Sequence, residues 1–267
     1  MAGRHTLVMR YTHLMIPAGM ESYPYIQHLL EFEQRVGSAP VPAWLQKVAS
    51  PLIVQEWTKE LKDHPDSAFR DYILNGIKNG FRIGFNRAIT CRSASSNMHS
   101  AIENADIVQE YLKKELSLGR ILGPVLPEAV PAGTHVSPVG VIPKLSQPGK
   151  WRLIVDLSSP DAKSVNAGIE PELCSLHYMR LDDVISKIVR LGKGALLAKL
   201  DIESAYRMVP VHPGDRHLLA IQWAGQTFFD TRLPFGLRSA PKIFTALADA
   251  LQWSVVARSD IGGTLPR

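Results

Sequence analysis

The first arrangement in this sequence that could do chemistry is one carboxylate with an aromatic close behind it. Asp201 follows an apolar run, Ala195-Leu196-Leu197-Ala198, long enough for a short buried strand. Glu203, Ser204, Ala205 and Tyr206 come next. A carboxylate at the end of a strand offers oxygen ligands to a hard cation such as Mg²⁺. The aromatic at Tyr206 can close the floor of a sugar pocket. An Asp that merely caps the turn after a strand fits the same spacing, and the residues alone leave both readings open.

A second group is cationic. Val139 to Lys144 runs into Ser146-Gln147-Pro148-Gly149, which is turn chemistry, and Gly149 to Ser158 returns as a strand. Its period of two turns Trp151, Leu153 and Val155 one way and Arg152, Ile154 and Asp156 the other. Lys144 and Arg152 on one hairpin can grip a polyphosphate, with Arg supplying a bidentate fork. The alternative is a sheet edge blunted by charge. The pair Asp182-Asp183 looks catalytic, yet acids in the first turn of a helix are what the dipole favours, so it is read as a helix start. Lys78, Arg82, Arg87 and Arg92 can touch nucleic acid or form a solvated face, and the solvated face is the preferred reading.

The elements that must position these groups follow from periodicity and punctuation. Residues 1–43 hold several Pro and Gly and little pattern, so a loosely ordered segment is expected. Asp66 or Ser67 can cap a helix whose face is Phe69, Tyr72, Ile73 and Ile77, with Gly80 ending it. Phe81, Ile83 and Phe85 predict an extended segment, and the Ser-rich stretch from Cys91 to Ser100 a linker. A helix is expected over 104–118, with Ile107, Tyr111, Leu112 and Leu116 inward and Gly119 as its stop. Residues 123–138 carry four prolines and read as an extended connector. A further helix should start near Leu181, with Val184, Ile185, Ile188 and Leu191 as its apolar face and Gly192 as its stop. Ala224-Gly225 marks a second hairpin. Gly236 allows close backbone approach to a ligand. Ser239 is an N-cap candidate, and Phe244, Leu247, Ala248, Leu251 and Val255 form the face of the last helix.

Composition bounds the rest. The 267 residues can bury a real core, and 45% hydrophobic with 21% charged content is ordinary for a globular chain. A net charge of +5 permits a polyanionic partner without requiring one. Cys91 and Cys174 give neither metal spacing nor a disulfide framework, which fits a reducing compartment. No run approaches the roughly 18 apolar residues of a membrane span, and the N-terminus lacks an apolar signal core. An intracellular location, cytoplasmic or nuclear, with no membrane partner, is therefore expected.

Taken together and in this order, the Lys144/Arg152 hairpin, the stretch at Asp201 and the Leu233-Pro234-Phe235-Gly236-Leu237 turn resemble reverse transcriptases of retroelements, most closely DIRS-type retrotransposons. Phe81-Arg82-Ile83-Gly84-Phe85, Trp151-Arg152-Leu153-Ile154 and Ser164-Val165-Asn166 add to the resemblance, which runs from Trp44 to Trp253. It implies an α+β fold: right-hand polymerase fingers over 101–190, part of a palm over 191–257, a small mostly helical region with a linker over 44–100, and a tail over 258–267. It implies that Lys144 and Arg152 grip the triphosphate of a dNTP. By the same resemblance Asp201 and the Ile202 carbonyl bind catalytic Mg²⁺, Tyr206 stands under the sugar as a steric gate, and Phe235 and Gly236 line the nucleotide. An RNA or DNA template-primer would be the partner.

The chain also departs from that pattern. The family carries an Asp-Asp turn after the helix of Leu247 and Leu251, whereas here the acids after Phe244 are Asp249 and Asp260 alone. Two cations about 4 Å apart need several carboxylates, so Mg²⁺ binding is expected to be weak or absent. With the thumb also missing, the expectation is a reverse transcriptase-like domain inactive by itself. The alternatives are a non-catalytic nucleic-acid-binding remnant or an unstable truncated product.

Overall fold

The computed structural model describes residues 30, 41–86, 96–145, 147–176, 180–194 and 201–258. Of the expected N-terminal segment, only Leu30 and 41–43 fall within it. Arg87, Arg92, Cys91, the apolar run 195–198 and the tail from residue 259 lie outside the described residues.

The fold is α+β. Two short helices, α1 (Ala43–Gln46) and α2 (Val54–Glu60), lead into α3 (Ser67–Asn79). The Asp66 carboxylate accepts from Phe69 N at 2.9 Å, so the cap is the one the sequence indicates. Phe69, Tyr72, Ile73 and Ile77 are buried as expected, and Gly80 ends the helix at φ +87°. The extended segment after it bridges Phe81 to Val211 and Phe85 to Ile169. Arg82 contradicts both readings of it. It is buried against Asp215 at 2.8 Å, and Asp215 also accepts from Ile83 N at 2.9 Å.

The expected helix over 104–118 is α5 (Ala105–Ser117), and a short helix, α4 (His99–Glu103), precedes it across a break at Asn104. The Ser-rich linker, expected to run to Ser100, gives way to helix at His99. Val108, Leu112 and Glu115 are the buried positions of α5, and Gly119 stops it at φ +63°. The connector 123–138 hides two strands. β1 (Ile121–Val125) and β2 (Val136–Ser137) join β5 (Ala220–Trp223) and β6 (Gln226–Asp230) in a sheet of order β1-β6-β5-β2. Only the β2–β5 pair in it is parallel. The β5–β6 hairpin turns at Ala224 and Gly225, both at positive φ, the tight geometry that Ala-Gly signalled.

β3 (Val139–Pro143) and β4 (Trp151–Val155) form the expected antiparallel hairpin, with Ile142 opposite Arg152. The outer edge of β3 is covered: Asn97 Oδ1 accepts from Val139 N, Ser100 Oγ accepts from Val141 N, and Met98 N donates to the Val139 carbonyl. Helix α6 (Leu181–Leu191) starts and stops where expected, and Asp183 accepts from Arg180 N at 3.0 Å. Its apolar stripe, however, is not core. Of the four residues expected inward, Ile185 is 48% and Leu191 71% exposed, while Val184 and Ile188 are half-buried.

Helix α7 (Ala240–Arg258) is buried nearly all round in its first three turns, by Ile243, Ala246 and Ala250 as well as Phe244, Leu247 and Ala248. Leu251 and Val255, expected inward, are exposed instead. The Ser239 hydroxyl makes no hydrogen bond, so that residue precedes the helix without capping it. One core gathers Leu61, Phe69, Ile73 and Phe81 from the N-terminal region with Leu157, Val165, Val211, Leu233 and Ile243. A second packs Val108, Leu112, Val139 and Val141 under Ile221 and Phe228 of the sheet.

Candidate nucleotide and nucleic-acid site

Residues 209–211 run antiparallel to 231–233. Leu233 N donates to Val209 O at 3.1 Å and Val211 N to Thr231 O at 2.9 Å. This pairing carries the single helical turn Ala205–Met208 alongside the turn 234–237. The Tyr206 ring meets Phe235 at 5.2 Å between centroids and Phe244 edge-on at 5.5 Å. Such offset and edge contacts are favourable arrangements for aromatic quadrupoles. Tyr206, Phe235 and Gly236 therefore do come together. Gly236 has φ +91°, and a Cβ there would sit 3.3 Å from the Val155 carbonyl, so the turn lies against the end of β4. The strand bearing Arg152 and the aromatic floor share that contact.

Asp201 and Glu203 are exposed, while Ile202 between them packs on the main core. Ser204 follows in the left-handed region at φ +54°, a conformation that non-glycine residues adopt at a cost and often at functional turns. It redirects the chain so that Tyr206 faces Phe235 and Phe244 while Arg207 points away into the interior. The strand expected to end at Asp201 lies outside the described residues, which omit 195–200. Arg152 is exposed and Lys144 half-buried, with Lys144 N donating to Lys150 O at 2.8 Å across the hairpin tip. Among the described residues neither cation makes an ion pair, and Asp201 makes no hydrogen bond.

Residues that periodicity passed over hold this arrangement up. Arg207 reaches Glu115 and Asp230. Burial, only partly opposed by Arg207, raises the Asp230 carboxyl above its ordinary range. Arg216, fully buried, donates to the carbonyls of Leu45 at 2.7 Å, Lys47 at 2.8 Å and Val211 at 3.1 Å, tying α1 to the central segment. For Arg207 an arginine among apolar neighbours was the available signal, which names no partner, whereas Arg216, between Asp215 and His217, carried none.

The family described as reverse transcriptase (RNA-dependent DNA polymerase) matches residues 142–257. That span contains Arg152, Asp201, Tyr206, Phe235 and Gly236 in order. Residues 142–257 belong to the reverse transcriptase family. The retrovirus-related Pol polyprotein from transposon 412 of Drosophila melanogaster is 30% identical over 112 residues, 40% of this chain and 8% of that protein. The transposon Tf2-3 polyprotein of Schizosaccharomyces pombe is 30% identical over 131 residues, 47% of this chain and 9% of its own length. The Pro-Pol polyprotein of Simian foamy virus type 1 is 31% identical over 113 residues, 42% and 9%. The chain thus spans less than a tenth of the curated relatives named here. Among solved structures, a prototype foamy virus protease-reverse transcriptase gives a TM-score of 0.43 at 19% identity, covering 77% of this chain and 28% of that one. The foamy viral enzyme solved in complex with RNA/DNA hybrid gives 0.39 at 17%, covering 80% and 28%. None of these is described as DIRS-type.

Reverse transcriptases use divalent metal, so the donor set here can be tested against that need. Among the described residues no group of three His, Cys, Asp or Glu side chains could hold a metal ion. Asp201 with the Ile202 carbonyl supplies one charge, and a hard divalent cation takes more oxygen ligands than that. The described residues do not fit a two-metal site. None of the described helices is long and apolar enough to cross a membrane.

Proposed function

We propose that this chain is the nucleotide- and template-engaging part of a retroelement reverse transcriptase, one that binds nucleic acid but does not polymerise by itself. Lys144 and Arg152 take phosphates, Tyr206 and Phe235 form the floor under sugar and base, and Gly236 lets the backbone come close to the nucleotide. Asp201, with the Ile202 carbonyl, is the metal ligand set among the described residues. A template-primer and dNTP are the partners of the parent enzyme, and a DIRS-type element is its proposed source.

The observation that carries the reading is the Tyr206–Phe235–Gly236 cluster lying against the end of the strand that bears Arg152. Supporting it, the hairpin cations have no carboxylate partner among the described residues. A reducing, intracellular setting is part of the proposal. Burial pushes the Cys174 thiol up to about 11, against the pull of Arg238 and Lys242, so it stays protonated there.

The test is a pair of measurements on the purified chain. Gel-shift titration with single-stranded DNA at two salt concentrations is expected to give salt-sensitive, sequence-independent binding. Primer extension with Mg²⁺ and dNTPs is expected to give no product. No shift at low salt ends the binding half of the reading, and extension of the primer ends the other.

A further inference from the structure

Asn166 belongs to the Ser164-Val165-Asn166 phrase, to which the nucleotide reading assigns no role. We propose that Asn166 is a positioning residue that fixes the 234–237 turn so that Phe235 stays against Tyr206. The proposal rests on the reading above of those two rings as the nucleotide floor.

Asn166 is 6% exposed, and its hydrogen-bonding capacity is spent on one task. Its side-chain amide donates to the Gly236 carbonyl at 2.9 Å and to Ser158 Oγ at 3.0 Å. Its side-chain oxygen accepts from Arg238 N at 2.8 Å. Turning the amide over would set its NH₂ against the Arg238 N–H, donor against donor, so the chemistry chooses the orientation. The main chain adds bonds of its own, among them one from Ile169 N to the Asn166 carbonyl at 3.2 Å. Asn166 N donates to Leu157 O at 2.9 Å, and the Asn166 carbonyl accepts from Arg238 Nη1 at 2.7 Å.

One residue thus joins the segment just after β4, through Leu157 and Ser158, to both sides of Leu237 in the turn. Phe235 is 58% exposed, so burial does little to hold its ring. The ring lies where the backbone at Gly236 and Arg238 puts it, and that backbone is held by Asn166. Without the donation to the Gly236 carbonyl the turn is held only through Arg238, so it lifts from Val155 and Phe235 leaves Tyr206. Tyr206 keeps Phe244 behind it but loses its neighbour on the side where a sugar would lie. Discrimination between 2′-deoxy and ribose nucleotides then falls, while phosphate binding at Lys144 and Arg152 is untouched.

The experiment uses the full 267-residue chain with ¹³C-labelled Phe and Tyr rings. Asn166→Asp keeps size and the acceptor toward Arg238 but removes both donations, and Asn166→Ala removes all three side-chain bonds. The Tyr206–Phe235 NOE is expected in the wild type and lost in both variants, with the Tyr206–Phe244 NOE retained. A folded Asn166→Asp that keeps the Tyr206–Phe235 NOE overturns the proposal. Should both variants fail to fold, the wild type alone decides: slow exchange of the Asn166 side-chain NH₂ protons supports the clamp, and exchange at the free-amide rate overturns it.

Titration calorimetry with dATP, ATP and tripolyphosphate gives the second readout. In Asn166→Asp the dATP-over-ATP preference should fall to parity with tripolyphosphate affinity unchanged. Equal loss for all three indicates general damage and overturns the positioning role. If the wild type binds none of them while the NOE pattern holds, the nucleotide reading fails and the control of Phe235 by Asn166 stands.

Discussion

Arg207 Nη2 donates to Glu115 Oε2 over 2.8 Å, joining residues 92 positions apart, and both side chains are 5% exposed. The same nitrogen lies 2.6 Å from Asp230 Oδ1, and Nε donates to Glu115 at 3.1 Å. Arg120 approaches Glu115 at 3.4 Å from the rim. Helix α5, the Tyr206 turn and strand β6 are therefore pinned by one guanidinium fork.

Removing that fork leaves two buried carboxylates without their main cation. Arg207→Met is expected to destabilise the chain by about 3–5 kcal/mol, because breaking one partner of a buried pair strands the other charge. Urea unfolding measures it as a lower midpoint. Arg207→Lys should recover only part, since an ammonium cannot fork between two carboxylates.

A buried carboxyl and a half-buried imidazole set opposing pH arms. Burial pushes the Asp249 carboxyl up to about 8, against about 3.9 in an unfolded chain. The fold holds a proton the unfolded chain releases, so this contribution is whole below about pH 4 and is lost as pH rises through about 8. For His212, burial first and then Arg82 and Arg216 lower the imidazolium to about 4, against about 6.5 unfolded. Its contribution is whole above about pH 6.5 and is lost as pH falls through about 4. Read as differences from wild type across a pH series of urea midpoints, Asp249→Asn should remove a fall between about pH 4 and 8. By the same rule His212→Asn should remove a rise between about pH 4 and 6.5.

Gly76 sits inside α3, where alanine would ordinarily gain about 1 kcal/mol. Here a Cβ at that position would enter the Phe81 ring. Gly76→Ala is therefore expected to destabilise, by about 1–3 kcal/mol as overpacked cores do. A higher thermal midpoint for Gly76→Ala would contradict the packing.

Lys144→Ala and Arg152→Ala bear on the phosphate contacts. Each is expected to weaken single-stranded DNA binding across unrelated sequences and to reduce the salt slope by about 1. Fluorescence anisotropy over a salt series reads both. A slope unchanged in both variants would place the contacts elsewhere.

What could be read in advance was local. Asp66 with Phe69, Tyr72 and Ile73 announces α3 within one turn, and Ala224-Gly225 announces a tight hairpin because two positive-φ positions sit between apolar runs. β1 could not be read, because Gly123-Pro124 looks like a connector and its partner β6 lies far along the chain. Buried polar residues were opaque for a related reason. Arg82, Arg207 and Asn166 are typed as surface residues until Asp215, Glu115 and Gly236 are seen beside them. On the site, Tyr206, Phe235 and Gly236 were given nucleotide roles through resemblance rather than spacing, which names no contact between them, while Asp201 follows a run outside the described residues.

The bridge from Phe81 to Val211 has a practical corollary for anyone subcloning this gene. A product begun at Ile142, where the family match starts, would discard Phe69, Ile73 and Phe81 and leave Val211, Leu233 and Ile243 facing water. The homology boundary cuts through the hydrophobic interior, so soluble expression should require the residues that precede Ile142 even though they fall outside the matched segment.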